Sequence, residues 1–427
     1  MAILSLLELL VSSKIKYWTK LLTKFLSVQV LVQALGFVSG IVLIRSLSKE
    51  EYGYLTIANS MQSMMNGLAD SGISIGISEI AGKVWNDKYR FGQVIQSALE
   101  LRKWLALIST SIITPIMIWV LLRNNISTTS AILITIAILI ELYFYLESSV
   151  LETVPRFYSK IKTIQNLDIV FAVTRLILLG VGYFTFLNSV IAAFISTIVS
   201  ACRTILLRRV ANQEIDVKVE KNLDYQKNIL SIVKNFIPNS IFYTFQGQIS
   251  ILLISIFGNN QNIAEIGALS RFSMIFALVT PIMSSIAFPA FSRCQNQSLL
   301  KLRYWQIVLA NILFGTVLIG ISYFFSDQIL WILGTKYSGL SSELMLVILL
   351  GTLGHIGGVM WGLCCAKGWI KNMWLEIPIK LSVQIILLLF MNLSNIKGVI
   401  LFGIFSYVPS IILVAIIAYQ NLRVKPA

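Results

Sequence analysis

Among the ionisable residues in stretches otherwise apolar enough to cross a bilayer, Asp70, Glu141, Arg175 and Arg271 could do chemistry. An arginine near the centre of a membrane helix costs roughly 2.5–3.5 kcal/mol on insertion scales, so it needs a wet cavity, an acidic partner or an anionic ligand. Arg271 falls nine residues inside its span, about 13 Å from the edge at 1.5 Å per residue, too deep for easy snorkelling. Its guanidinium offers paired donors that match phosphate oxygens, which makes an anion contact the leading reading. Arg175 is bracketed in depth by Glu141 and Glu147, so a structural ion pair is the plainer account there. Asp70 and Glu141 lie at depths where a carboxylate binds a proton or sodium and couples ion movement to transport; a carboxylate held by a neighbouring helix is an equal reading. Lys380, one turn into its span, is expected to snorkel to the interface.

Polar residues and glycines repeat at i, i+4, i+7 and i+11 in three places: Gln29, Gln33, Gly36, Gly40; Asn59, Ser63, Asn66, Asp70; and Asn239, Tyr243, Gln246, Ser250. Each set lies on one helix face. These faces predict a hydrophilic lumen with Gln33, Asn59, Asn66 and Gln246 as substrate contacts, beside ordinary interhelical hydrogen bonding. His355 sits among Gly354, Gly358 and Gly362, a spacing suited to close helix packing more than to proton relay. Ser48-Lys49-Glu50-Glu51 has the form of a capping box. Pro281 and Pro409 should bend their helices. The four cysteines have neither metal-ligand spacing nor a disulfide pattern, and no cofactor is expected beyond a coupling proton or sodium ion.

The elements that must position these residues are helices. The chain has 427 residues, 56% hydrophobic and 12% charged, where a soluble domain is about 25% charged. Its apolar blocks have the length that crosses a core about 30 Å thick, and none alternates as barrel strands do. Twelve spans are predicted, at 25–44, 54–80, 104–122, 129–151, 167–187, 188–207, 236–257, 262–291, 306–325, 344–366, 377–393 and 398–420. The fold class is an all-α polytopic membrane protein with two six-helix lobes around a central cavity. With the N-terminus inside, 25 of the 34 Lys and Arg fall on the cytoplasmic side and five outside, which predicts cytoplasmic termini. That distribution accounts for the net charge of +15 without nucleic acid. Residues 1–24 are expected as an interfacial segment and not a cleaved signal, 25–207 as the first lobe, 208–235 as a cytoplasmic linker, 236–420 as the second lobe and 421–427 as a tail. Glu51-Tyr52-Gly53-Tyr54-Leu55-Thr56 returns as Glu265-Ile266-Gly267-Ala268-Leu269-Ser270, an E-x-G-x-L-[ST] repeat 214 residues apart, half the chain.

Gly36-x-x-x-Gly40, Arg45-Ser46-Leu47-Ser48-Lys49-Glu50-Glu51-Tyr52-Gly53 and Asp70-x-Gly72 resemble the opening of bacterial polysaccharide (O-antigen type) flippases of the multidrug/oligosaccharidyl-lipid/polysaccharide exporter superfamily. Glu265-x-Gly267-Ala268-Leu269-Ser270-Arg271 is similar to that family's second-lobe opening, and Ile332-Leu333-Gly334-Thr335-Lys336-Tyr337 to a later external segment. The resemblance implies export of a polyprenyl-diphosphate-linked oligosaccharide, an O-antigen or capsule unit, across the bacterial inner membrane. Arg271 would then face the diphosphate and Arg175 would be a second candidate, with membrane lipid, a polysaccharide polymerase and a chain-length regulator as partners. A drug exporter of the same superfamily is the first alternative. A major-facilitator transporter is another, although Gly82 to Gly92 departs from the G-x-x-x-D-R-x-G-R-R loop by one residue of spacing and a missing inner glycine. A membrane glycosyltransferase or polymerase is the enzyme alternative, and it lacks a large external loop; the protein is read as not an enzyme.

Overall fold

The computed structural model describes residues 28–216 and 219–423, so the expected interfacial segment lies outside the described residues. The described chain is helical throughout, with no strand. Helix α1 runs Val28–Ser46. Ser48 caps α2 (Lys49–Asp70), its Oγ accepting from the Glu51 N–H at 3.1 Å. Two successive residues at positive φ, Ser71 at 35° and Gly72 at 94°, then stop the helix, and α3 (Ile73–Val84) starts in a new direction. The expected single span over 54–80 is therefore two helices. Helix α4 (Lys88–Arg123) follows an Asp87 cap, and α5 (Thr128–Leu151), α6 (Ile161–Phe184) and α7 (Ser189–Asn212) complete the first lobe. Helix α8 (Leu223–Phe257), α9 (Asn260–Ser292), α10 (Gln297–Phe324), the short α11 (Ser326–Leu333), α12 (Ser341–Ala366), α13 (Glu376–Phe390) and α14 (Ile396–Arg423) form the second.

Eleven described helices are long and apolar enough to cross a membrane. The twelfth expected crossing falls to α2, whose 22 residues reach about 33 Å but carry polar groups along much of their length. Helix α4 has 36 residues, about 54 Å, and so overshoots a 30 Å core by several turns. The same overshoot corrects the linker: α7 continues to Asn212 and α8 begins at Leu223, leaving 213–222 between helices where 208–235 was expected. Hydropathy registers only the part of a helix that lies in lipid. The linker is tied to α4, with Ser97 Oγ bonded to both the Asn222 carbonyl (3.1 Å) and its N–H (3.0 Å).

Packing divides the molecule along its long axis. On the side opposite the linker, here the distal side, one apolar core joins both lobes: Ile44, Leu47 and Ile57 pack with Ile263, Leu333 and Leu344. On the linker side there are two separate cores. One holds Ile73, Phe91, Leu207 and Ile229; the other holds Phe291, Tyr304, Leu363 and Val414. The distal core joins both lobes, and so does the first linker-side core, through Ile229 of α8; the other linker-side core is built within the second lobe alone. Helix α2 is the seam, lying against α8 and α9 as well as α4.

Candidate binding cleft between the lobes

The two repeat segments lie against each other across this seam. A Cβ on Gly53 would collide with Asn260 of α9, and one on Gly267 would collide with Thr56 of α2, so both motif glycines are required by close helix approach. Their glutamates differ. Glu265 pairs with Lys49 at 2.6 Å, whereas Glu51 accepts from the Ser189 N–H at 2.6 Å and steadies the start of α7. The expected capping box is thereby half realised: Ser48 caps α2, and the Glu51 side chain reaches another helix. Asn260 Nδ2 donates to the Glu50 carbonyl at 2.9 Å, and Lys336 Nζ to the Leu47 carbonyl at 2.8 Å, closing the distal end further.

Toward the linker side the seam opens into a cavity of about 220 Å³. Asn59 and Ser63 are exposed on its α2 wall, Gln248 stands on α8, and Ser270 and Arg271 come from α9. Arg271 begins a 3-10 turn, Arg271–Ser273, which interrupts the α-helix where its side chain enters the cavity. Its Nε donates to the Tyr52 hydroxyl at 3.3 Å, and its guanidinium lies so close to Gly40 of α1 that a Cβ there would stand 3.1 Å from Nη1. Arg271 has no ion pair among the described residues, and so its charge faces the cavity through a single neutral hydrogen bond. Ser60 Oγ donates to Gln248 Oε1 at 2.9 Å, fixing α2 to α8 beside it.

The other sequence candidates are distributed more widely. Arg175 on α6 donates to Ser196 Oγ at 3.0 Å and feels the charges of Arg271 and Glu141, but its Nε is buried without a partner. Glu141 accepts from Gln62 of α2 and makes no direct ion pair among the described residues, while Glu147 is gripped by Arg208 at 2.6 and 2.5 Å. The expected bracketing of Arg175 by two glutamates is therefore field from one of them only. Asp70 pairs with Arg102 of α4 and accepts from Ser74 Oγ at 2.6 Å, pinning the α2–α3 break. Asn66 is half-buried on the same stripe, its Oδ1 buried without a partner. Gln33 is half-buried on α1 and is not among the groups around Arg271.

Gln246 belongs to a different place, the interior of the second lobe. It exchanges hydrogen bonds with Gln384 of α13 at 2.7 and 2.8 Å and borders cavities of about 500 and 320 Å³. Around the smaller one stand Tyr243, donating to Glu376 at 2.8 Å, and Lys380, whose Nζ is 4.2 Å from the Tyr407 ring centre. Lys380 is only 3% exposed, so the expected snorkelling does not occur: a buried aromatic face and a nearby carboxylate hold the ammonium inside. His355 bonds Asn311 at 2.8 Å and stacks on Phe276, as a packing residue would. Tyr52, Gln248, Glu376 and Tyr407 escaped the sequence reading, because only their three-dimensional neighbours mark them; Gln248, two residues from Gln246 on α8, lay just off the stripe.

No known family profile and no curated protein matches the sequence. Solved structures do match. The chain is similar to a multidrug resistance MATE family transporter of the MOP superfamily in an inward-facing conformation, with TM-score 0.73, 14% identity and 92% and 96% of the two chains covered. It is similar to the lipid II flippase MurJ in an inward closed conformation, with TM-score 0.71, 14% identity and 93% and 87% covered. Against an outward-facing MATE transporter the TM-score is 0.61 at 13% identity, with 93% of each chain covered. At these identities the likeness is one of fold, the two-lobed helical architecture that the sequence predicts.

Proposed function

We propose that this protein is a flippase that moves a lipid diphosphate-linked oligosaccharide across the bacterial inner membrane by alternating access, with the linker on the cytoplasmic side. The observation that carries the reading is Arg271: an unpaired guanidinium at a break in α9, aimed into a polar cavity that the lobes share. Such a group substitutes for the hydration a diphosphate loses on entry. A single core at the distal end and two separate cores at the linker end suit a state of the cycle loaded from the linker side. Some 220 Å³ holds a phosphate group but not a sugar chain, so the oligosaccharide requires the lobes to part further. Arg175, within electrostatic range of Arg271, would form a second cationic station, and Glu141, free of a direct ion pair, is the better placed coupling group of the two acids.

A second reading, export of drug-sized molecules, draws on the 500 Å³ cavity in the second lobe, whose size and Phe276, Gln246 and Tyr407 lining suit an amphipathic ligand. Proteoliposomes separate the two. Leaflet exchange of a fluorescent polyprenyl-diphosphate oligosaccharide supports the flippase, and drug uptake without such exchange supports the exporter. Formation of a new glycosidic bond in the same vesicles would contradict both and return the protein to the enzymes.

A further inference from the structure

A cavity of about 650 Å³ lies away from the lobe interface, between α4 and α5 with the end of α7. It shares no lining residue with the Arg271 cleft. Counting back from Arg123 at the distal end of α4, Lys103 is reached after 20 residues, about 30 Å, so it stands where the hydrocarbon core ends on the linker side. Trp104, 61% exposed, marks the same level as interfacial tryptophans do. On the core side of that level the walls are apolar, with Leu107 and Ala106 on α4 and Leu139 and Leu142 on α5. On the other side they carry Arg102, Lys103 and Arg208.

The charges of this polar end are unevenly answered. Both Glu147 oxygens are engaged by Arg208, and Asp70 by Arg102, whose Nη1 also donates to Ser149 at 2.6 Å. Arg102 is 4% exposed and its Nε has no hydrogen-bond partner. Lys103 is exposed and makes no ion pair among the described residues, while nearby Glu100 is taken by Lys221. The groove therefore presents net positive charge at head-group depth and no free carboxylate to meet a choline or an ethanolammonium. We infer that this groove binds one anionic phospholipid of the linker-side leaflet, with its phosphate at Lys103 and Arg208 and its acyl chain along Leu107 and Leu139. The occupant is a bilayer lipid and not the transported lipid, because the groove shares no lining residue with the cleft. The inference does not depend on what the cleft carries.

Native mass spectrometry of the purified full chain with phosphatidylglycerol or phosphatidylcholine tests it. One phosphatidylglycerol should be retained over phosphatidylcholine by about fivefold, the weight of one basic residue near a charged surface. Lys103→Gln should abolish that preference, and Leu139→Trp, filling the apolar half from a half-buried position, should reduce retention of both lipids at unchanged detergent-solution melting behaviour. Equal retention of the two lipids by the wild type, or an undiminished preference in Lys103→Gln, overturns the inference. So does protection by glycerol phosphate alone, which would make this an ion site, or capture of undecaprenyl diphosphate in place of phosphatidylglycerol, which would make it a substrate station.

Discussion

From Glu51 and from Glu265 the chain sets out on the same six-residue pattern, and the two segments meet across the seam. Six residues after each glutamate they diverge. In the first lobe that position is Ile57, fully buried in the distal core, and α2 runs on without interruption to Asp70. In the second it is Arg271, and the helix tightens into a 3-10 turn there. Further on, the break at Ser71-Gly72 in α2 has its counterpart, at the same 214-residue offset, in a π-helical turn at Met283–Ala287 that follows Pro281 in α9. Close approach is kept by both copies; charge is kept by one. The first lobe supplies a rigid wall and a polar face, and the second supplies a jointed arm that carries the cation.

The sharpest way to break this comparison is to remove the cation. Arg271→Ala should lower leaflet exchange roughly 10- to 100-fold, the weight of a hydrogen bond to a charged group at about 1.5–3 kcal/mol, at matched membrane levels. Arg271→Lys should keep part of the activity, because charge survives and the fork geometry does not. Normal exchange by Arg271→Ala would reduce the arm to a packing element. Next in size, Asp70→Asn should destabilise the protein by about 1–3 kcal/mol, since it leaves the buried Arg102 without its counter-charge. A thermal melt in detergent reads this. Glu141→Gln, by contrast, should melt as the wild type does and lose the dependence of transport on a proton or sodium gradient. An unchanged melt for Asp70→Asn would argue that Asp70, too, belongs to the transport machinery.

Smaller effects probe the seam itself. Gly53→Ala presses on the Asn260 side chain and also on its backbone carbonyl, whereas Gly267→Ala presses only on the Thr56 side chain, so the first should open the distal end more. Accessibility of a cysteine introduced at the fully buried Ala264 of the distal core to a thiol reagent measures the opening, and the reverse order would mean that the two glycines do not share one contact. Smallest of all, Glu265→Gln removes a partly buried ion pair with Lys49 worth about 1 kcal/mol, and should raise the accessible fraction about fivefold.

Most of the architecture was legible because burial in lipid writes itself into composition: the apolar blocks gave the helices, and the repeat gave the lobes. What escaped was whatever depends on partners far along the chain. Glu51 read as a local cap because its true acceptor geometry involves Ser189, 138 residues away. Lys380 read as a snorkelling residue because the Tyr407 ring beneath it belongs to the next helix. The α2–α3 break was visible as Asp70-Ser71-Gly72, a helix-stop signal, but its apolar continuation over Ile73–Ile80 argued for one span. Arg271 was legible from depth alone; its seat against Gly40 and Tyr52 was not.

The polarity of α2 also bears on how the protein is made. A segment bearing Asn59, Ser60, Gln62, Ser63, Asn66 and Asp70 partitions poorly into lipid by itself. Its polar partners, Arg102 on α4 and Gln248 on α8, are synthesised later. During translation α2 must therefore wait, shielded by the insertion machinery or at the bilayer surface, until those helices arrive. The helix at the centre of the finished molecule is among the last to settle, and errors in biogenesis should accumulate there first.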